Sequence, residues 1–279
     1  MEIIQSKQNA SIKSARKLLQ RKHRKTSYLL EGWHLFEEAK ASGAEILQVF
    51  VLEEMADRVA NMAKVKLVSP EGLKELCETQ TPQGIVAEVA KQSQALPESL
   101  SGKYLLLEDV QDPGNVGTMI RTADAAGYDG VFLSDKSADI YNQKTLRSMQ
   151  GSHFHLPIYR GPILDMVEAC RKQGIPVLAT TLSDVSVDYK AVNTDGNFAL
   201  VMGNEGQGIS QDMAESADQL VHISMPGQAE SLNVAVAAGY WCGSYQRTFP
   251  KIIQPRYDFR RKQLTFKVIL STSGIMKKH

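Results

Sequence analysis

Residues 104–127 read YLLLEDVQDPGNVGTMIRTADAAG. YLLLEDV is a short apolar run of the kind that forms a strand buried on both faces. A turn rich in glycine follows, and then VGTMIRTADAAG, which has the composition of a helix. Strand, turn and helix in that order form the repeating unit of an α/β sheet. Downstream, GVFLS (130–134), IPVLATTL (175–182), NFALVMG (197–203) and LVHISM (220–225) read as strands. IYNQKTLRSMQGS (140–152), LDMVEACRKQG (164–174) and LNVAVAAGYWCGSYQR (232–247) read as helices. The alternation predicts an α/β fold whose sheet is mostly parallel, with helices on both faces.

A smaller α/β unit precedes it. SIKSARKLLQRKHRK (11–25) predicts a basic helix, with Ile12, Ala15, Leu18 and Leu19 at helical spacing. YLLEGWHLFEEAKASG (28–43) combines a short strand with a helix stopped at Gly43. EILQVFVLEE, VKLVS and GIVAEVA read as strands, and SPEGLKELCE as a helix capped by Ser69 with Pro70 first. SQALPESLSGK (93–103) has the composition of a linker. The expected organisation is an N-terminal unit over 1–98, a larger unit over 104–248, and a basic tail over 249–279.

Charge follows the same division. Residues 1–25 carry eight Lys or Arg against one acid, and residues 249–279 again eight against one, net +7 each. The stretch between them is net −13, so the chain totals +1. Basic ends suit a phosphate-rich partner. Cys77, Cys170 and Cys242 lie far apart and form no CxxC pair, which fits a reducing cytoplasm and argues against structural zinc. No apolar run reaches the ~20 residues of a membrane span, and the first residues lack a secretory signal.

Three segments place glycine, asparagine and charge at strand ends, where open α/β sheets bind ligands. The first is EDVQDPGNVGTMIRTADAAG (108–127), where Pro113, Gly114 and Gly117 shape a tight turn. Asn115 there suits a helix cap and Arg121 a surface ion pair, or both suit a site. The second is LVMGNEGQGIS (200–210), a glycine-rich loop around Glu205. The third is HISMPGQAESLNVAVAAG (222–239), where Ser231 is an N-cap or a site residue and the small residues permit close packing. Neither a GxGxxG fingerprint nor a GxxxxGK[ST] loop occurs, which disfavours a nucleotide-dependent oxidoreductase. Asp109 and Asp112 read more simply as turn residues than as magnesium ligands. His153 and His155 have a spacing that puts both on one face of a strand, but they lack acidic or cysteine partners nearby, so no metal is expected.

In order and spacing, NVGTMIRTADAAG, GNEGQGIS and ISMPGQAESLNVAVAAG resemble the signature motifs of the SpoU RNA methyltransferase family, within the trefoil-knotted SPOUT class. The resemblance spans residues 104–248. YLLEGWHLFEEA and TPQGIVAEV more weakly resemble the ribosomal-protein-like RNA substrate-binding domain that often precedes this catalytic domain. The family implies a C-terminal trefoil knot whose loops bind S-adenosyl-L-methionine, and a homodimer. It implies that Gly203, Ile223 and Leu232 line the adenosine pocket, with Thr180 and Met225 as neighbours. It assigns Asn115, Arg121, Glu205, Ser231 and Asn233 to the catalytic pocket. The reaction implied is methylation of a ribose 2′-hydroxyl in RNA, rRNA before tRNA. Arginine is effectively always protonated, so Arg121 suits an RNA phosphate better than the role of base. The alternatives are a tRNA enzyme and a catalytically silent RNA-binding or ribosome-assembly protein.

Overall fold

The computed structural model describes residues 2–92, 94–192, 196–244, 251–258 and 263–270. The N-terminal unit runs α1 (Ala10–Lys17), β1 (Ser27–Glu31), α2 (Trp33–Ala41), β2 (Ile46–Leu52), β3 (Val65–Val68), α3 (Pro70–Lys74) and β4 (Ile85–Ala90). Its sheet has the order β1-β4-β2-β3, and only β2 and β3 are parallel. Period-two alternation sets the faces: Leu29, Phe50 and Val86 pack on one side, Leu30, Val51 and Ile85 on the other. Ser69 caps α3 by accepting from the Gly72 amide, and Gly43 ends α2 at φ +73°. The basic segment is not a free arm. Ile12, Ala15 and Leu18 are buried against Leu29 and Phe50, which leaves Lys13, Lys17, Lys22 and Lys25 exposed.

The larger unit continues with β5 (Lys103–Leu107), α4 (Pro113–Ala125), β6 (Gly130–Leu133), α5 (Gln143–Met149), β7 (Ile158–Arg160) and α6 (Ile163–Lys172). It is completed by β8 (Val177–Thr180), β9 (Val187–Asp188), β10 (Phe198–Met202), α7 (Gln211–Ser216), β11 (Gln219–His222) and α8 (Val234–Ser244). The seven strands lie in the order β7-β6-β5-β10-β8-β11-β9, and every pairing is parallel. Leu105 and Leu107 of β5 face α4, α5 and α8 through Met119, Leu146 and Ala238. Tyr104 and Leu106 face α6 and α7 through Met166, Cys170 and Met213. The chain passes from β7 across to β8 and later inserts β10 between β5 and β8, so the strand order reverses there. Parallel sheets open a ligand crevice at such a point, beyond the carboxyl ends of the strands.

Several local expectations are corrected. α4 starts at Pro113, not Val116, because Asp112 caps it by accepting from the Asn115 amide at 2.9 Å. Gly117 belongs to that helix and not to a turn: a Cβ there would lie 2.6 Å from the Thr145 carbonyl oxygen, so its absence lets α4 and α5 touch. Ser152–Phe154 forms a 3-10 turn, so His153 and His155 do not share a strand face. β7, β9 and α7 are additional elements, too short to show a period in the sequence. In the tail, β12 (Lys251–Asp258) pairs antiparallel with β13 (Gln263–Leu270), which accounts for the alternating stretch; the rest of 249–279 lies outside the described residues.

The two units share one apolar core and a polar seam. Gln143 Nε2 donates to the Leu29 carbonyl at 2.9 Å. Arg24 pairs with Asp139 at 2.8 Å and donates to the carbonyls of Leu18 and Leu19. His155 joins Glu38 of α2 (2.9 Å) to Asp124 of α4 (3.2 Å).

Candidate active site

β8, β10 and β11 end at Thr180, Met202 and His222, and the loops beyond them enclose a cavity of about 610 Å³. That volume suits a nucleoside-sized ligand. Thr180, Gly203, Ile223, Met225 and Leu232, the residues expected around a methyl donor, all line it. Glu205, Ser231 and Asn233 line it as well, and Trp241 of α8 closes one side. Gly203 is required by close approach: a Cβ there would stand 2.3 Å from the Gly208 carbonyl carbon. The loop turns back on itself there, with the backbones of Asn204 and Gly208 each donating an N–H to the other's carbonyl at 2.9 Å. Thr180 spends its hydroxyl on the Val201 carbonyl at 2.9 Å, so its contribution to the cavity is its methyl group and backbone.

At one edge of the cavity, the three glycine-rich segments of the sequence meet. Glu205 accepts the amides of Gln111 (3.1 Å) and Asp112 (3.0 Å), and the Asn115 side-chain amide at 3.1 Å. Asn115 in turn accepts from Asn233 Nδ2 at 3.1 Å. Asn233, not Ser231, caps α8: its oxygen accepts the amides of Ala235 (2.9 Å) and Val236 (3.2 Å). Partial burial pushes the Glu205 carboxyl pKa up, but the amides of Asp112, Asn115 and Gln111 outweigh it and hold it below the usual range. Beside it, Lys144 pairs with Asp112 at 2.7 Å and, with the Asn115 amide, lowers the Asp112 carboxyl. The arrangement is an anionic and amide framework linked by hydrogen bonds from Glu205 through Asn115 to Asn233 at the start of α8. Such preorganised groups position reactants without rearranging during the reaction.

Arg121 is the exception. It sits on the exposed face of α4, outside the cavity lining, and its side chain makes no hydrogen bond or ion pair among the described residues. Residues beyond those expected from the sequence also contribute. Asn204 donates to the Asp109 carbonyl at 2.8 Å and accepts the amides of Gly206 and Gln207. The tripeptide Asn204-Glu205-Gly206 carries that turn signal. Trp241 and Lys144 have none, since their roles depend on helix packing.

The SpoU rRNA Methylase family matches residues 102–242, half of the chain, and the MRM3-like substrate binding domain matches residues 9–87. The chain belongs to the SpoU rRNA methylase family. A relative in Bacillus subtilis, the 23S rRNA (guanosine(2553)-2′-O)-methyltransferase RlmP, is 41% identical over 242 residues, covering 85% of this chain and 96% of the relative. The AdoMet-bound rRNA methyltransferase from Sinorhizobium meliloti superposes with a TM-score of 0.81 at 31% identity, over 88% of this chain and 98% of that one. The SpoU methyltransferase AviRb from Streptomyces viridochromogenes, in complex with AdoMet, gives 0.77 at 30% identity, over 86% and 98%. As a SpoU member this chain is an RNA 2′-O-methyltransferase that uses S-adenosylmethionine. Among the described residues, no helix is long and apolar enough to cross a membrane.

Proposed function

We propose that this SpoU enzyme methylates the ribose 2′-hydroxyl of one nucleotide in large-subunit rRNA. The observation that supports this most is the Glu205–Asn115–Asn233 chain of hydrogen bonds beside the 610 Å³ cavity. When bound, S-adenosylmethionine supplies a methyl group on a sulfonium that departs as a neutral thioether. The cavity fits such a donor: Leu232, Ile223 and Met225 give apolar walls for an adenosyl group, and the space left by the missing Gly203 side chain brings backbone close. Glu205 fixes the Gln111–Asp112 backbone, and Asn115 holds the starts of α4 and α8 in register. Ser231, which lines the cavity and makes no hydrogen bond among the described residues, holds the ribose in this reading. Arg121 takes an RNA phosphate. No metal takes part in this reading.

We propose a homodimer built on the face shared by α4 and α8. Val236 and Tyr240 are 49% and 54% exposed there, one helical turn apart. Arg121 lies on the outward face of the helix packed beside them. The division into units at 1–98, 104–248 and 249–279, the trefoil knot and a cytoplasmic location belong to the same proposal.

The test is transfer of labelled methyl to total RNA from a strain lacking the protein, with 2′-O-methylation mapped at nucleotide resolution. One new methylated ribose in 23S rRNA is expected. A methylated tRNA, or donor binding without transfer to any RNA, overturns the rRNA assignment.

A further inference from the structure

The carboxyl edge of the sheet that carries the donor cavity also carries a cluster of cations at the seam between the two units. Arg160 is the last residue of β7, and the strand order β7-β6-β5-β10 puts it at the same edge as Asp109, just beyond β5, and Gly203, which follows β10. The three strand spacings from β7 to β10 amount to about 14 Å. Arg160 is fixed in place, because its guanidinium donates to the carbonyls of Ser134, Asp135, Ser137 and Ala138. The N-terminal unit brings its own cations to that loop. Arg24 pairs with Asp139, whose other carboxylate oxygen accepts the Tyr141 amide. The Lys91 amide donates to the Thr26 carbonyl, which ties the end of β4 to the basic segment. The Lys91 ammonium lies 4.4 Å from the centre of the Tyr141 ring. Arg21, in the turn just before Arg24, is exposed.

These charges do not cancel. Burial lowers the Lys91 pKa against the pull of Asp139, and Arg24, Arg21 and Arg160 lower it further. Burial and then Arg21 lower that of Arg160, against Asp139 and Asp135. Four cations, Arg21, Arg24, Lys91 and Arg160, thus stand within electrostatic reach of two carboxylates, Asp135 and Asp139. Asp139 is committed to Arg24, and among the described residues no carboxylate forms an ion pair with Arg21, Lys91 or Arg160. The surroundings sharpen the contrast, since residues 26–248 are net −13. A polyanion is repelled by most of such a body and is drawn to the place where cations outnumber carboxylates.

We propose that Arg21, Lys91 and Arg160 hold one backbone phosphate of the substrate RNA, a few nucleotides from the ribose that is methylated; the proposal rests on the RNA methyltransferase reading above. The groups match the ligand. Guanidinium groups offer paired N–H donors to phosphate oxygens, and an ammonium adds a point charge. An unpaired strand laid along the sheet edge from β10 to β7 covers the distance in a few nucleotides. On the way it passes the loop that carries Lys136, 78% exposed and paired with Asp109. Arg21 and Lys91 belong to the N-terminal unit and Arg160 to the larger one, so one phosphate here engages both. Phosphate contacts fix register and carry no sequence information themselves. The N-terminal unit then helps choose the methylated nucleotide by its distance from this clamp.

The test uses the full chain and the RNA found to accept methyl, prepared as a set in which each member carries one uncharged methylphosphonate linkage near the target. With the wild type, one linkage a few nucleotides from the target should raise KM roughly tenfold, the worth of a hydrogen bond to a charged group, with kcat and donor Kd unchanged. With Arg21→Gln and Lys91→Gln together, unmodified RNA should already show a raised KM, and that linkage should lose most of its effect. The log–log salt dependence of RNA affinity should flatten by about 0.7, the share of one phosphate on a single strand. If the double variant fails to fold, Arg21→Gln alone, at an exposed position, gives the same comparison. Lys74→Gln removes an exposed charge from α3 instead and should leave the sensitive linkage as it is in the wild type. If no linkage matters to the wild type, or the sensitive one keeps its full effect in the variant, the clamp is overturned and the enzyme assignment stands. Absence of methyl transfer to any RNA removes both.

Discussion

Asn115 carries more of the candidate site than its type suggests. It is the third residue of α4, and its two side-chain atoms face Glu205 on one side and Asn233 on the other, at 3.1 Å each. Asn115→Ala leaves Glu205 and Asn233 each short of one hydrogen bond and lets the starts of α4 and α8 shift. Misplacement of that order costs about 10²-fold in rate. Single-turnover measurements should show that loss in the chemical step, with donor Kd changed far less; a matching loss of donor affinity would assign Asn115 to donor binding. Gly203 makes the opposite case. Gly203→Ala puts a methyl 2.3 Å from the Gly208 backbone, which cannot move aside as a side chain can. Overpacking of this kind costs roughly 1–3 kcal/mol. Thermal unfolding and calorimetric titration of the donor should both register it.

At the level of elements, α1 and α8 each have two faces with separate tasks. The apolar stripe of α1 completes the N-terminal core, so removing residues 1–25 would expose that core as well as remove charge. The informative variant replaces the exposed Lys13, Lys17, Lys22 and Lys25 by Gln and leaves Ile12, Ala15 and Leu18 in place. For every lysine that neutralises a phosphate, the replacement should flatten the log–log salt dependence of RNA affinity by about 0.7 for single-stranded RNA. A slope equal to that of the wild type would remove this face from the RNA surface. In α8, Ala238, Trp241 and Cys242 pack inward while Val236 and Tyr240 face outward. Tyr240→Glu places a charge in the proposed dimer contact, and light scattering should then report a monomer. An unchanged mass would move the dimer elsewhere or discard it.

For the whole molecule, the seam between the units couples stability to pH through two histidines with opposite signs. His153 is buried beside Tyr28, and burial followed by the nearby His155 pushes its pKa down from 6.5 to about 3. The unfolded chain takes up a proton below pH 6.5 and the folded chain does not, so stability falls as pH drops from about 6.5 towards 3. His155 behaves inversely. Its bond to Asp124 raises its pKa, against a smaller effect of burial, and Glu38 adds to the rise. The folded chain then holds that proton to higher pH than the unfolded one. Its contribution is complete below 6.5 and is lost as pH rises through the raised value. Denaturation midpoints across pH should form a dome near neutrality. His153→Phe should flatten the acid limb and His155→Gln the alkaline limb; limbs unmoved by these changes would show that other groups govern them.

Most of the fold is legible in the order of residues. YLLLEDV, NFALVMG and LVHISM are short apolar runs between glycine-rich turns, and short runs buried on both faces have few alternatives to a parallel strand. The residues that the family resemblance assigns to the donor lie near the carboxyl edge of the sheet: Gly203 and Ile223 directly follow β10 and β11, and Leu232 lies in the loop before α8. β7, β9 and α7 are not legible, since three, two and six residues carry no measurable period. Gly117 resembles a turn glycine in the sequence for a related reason: the helix that needs its side chain absent, α5, is distant along the chain. Sequence by itself determined the strand and helix alternation, the family and the residue types at the strand ends, all of which follow from local pattern and composition. Only tertiary structure decided that Asn115 bridges Glu205 and Asn233, that α1 belongs to a core, and that Arg24, Lys91 and Arg160 all reach the loop at 138–141. Each of those depends on contacts between segments some 17 to 118 positions apart, whose meeting is set by how the sheet orders its strands.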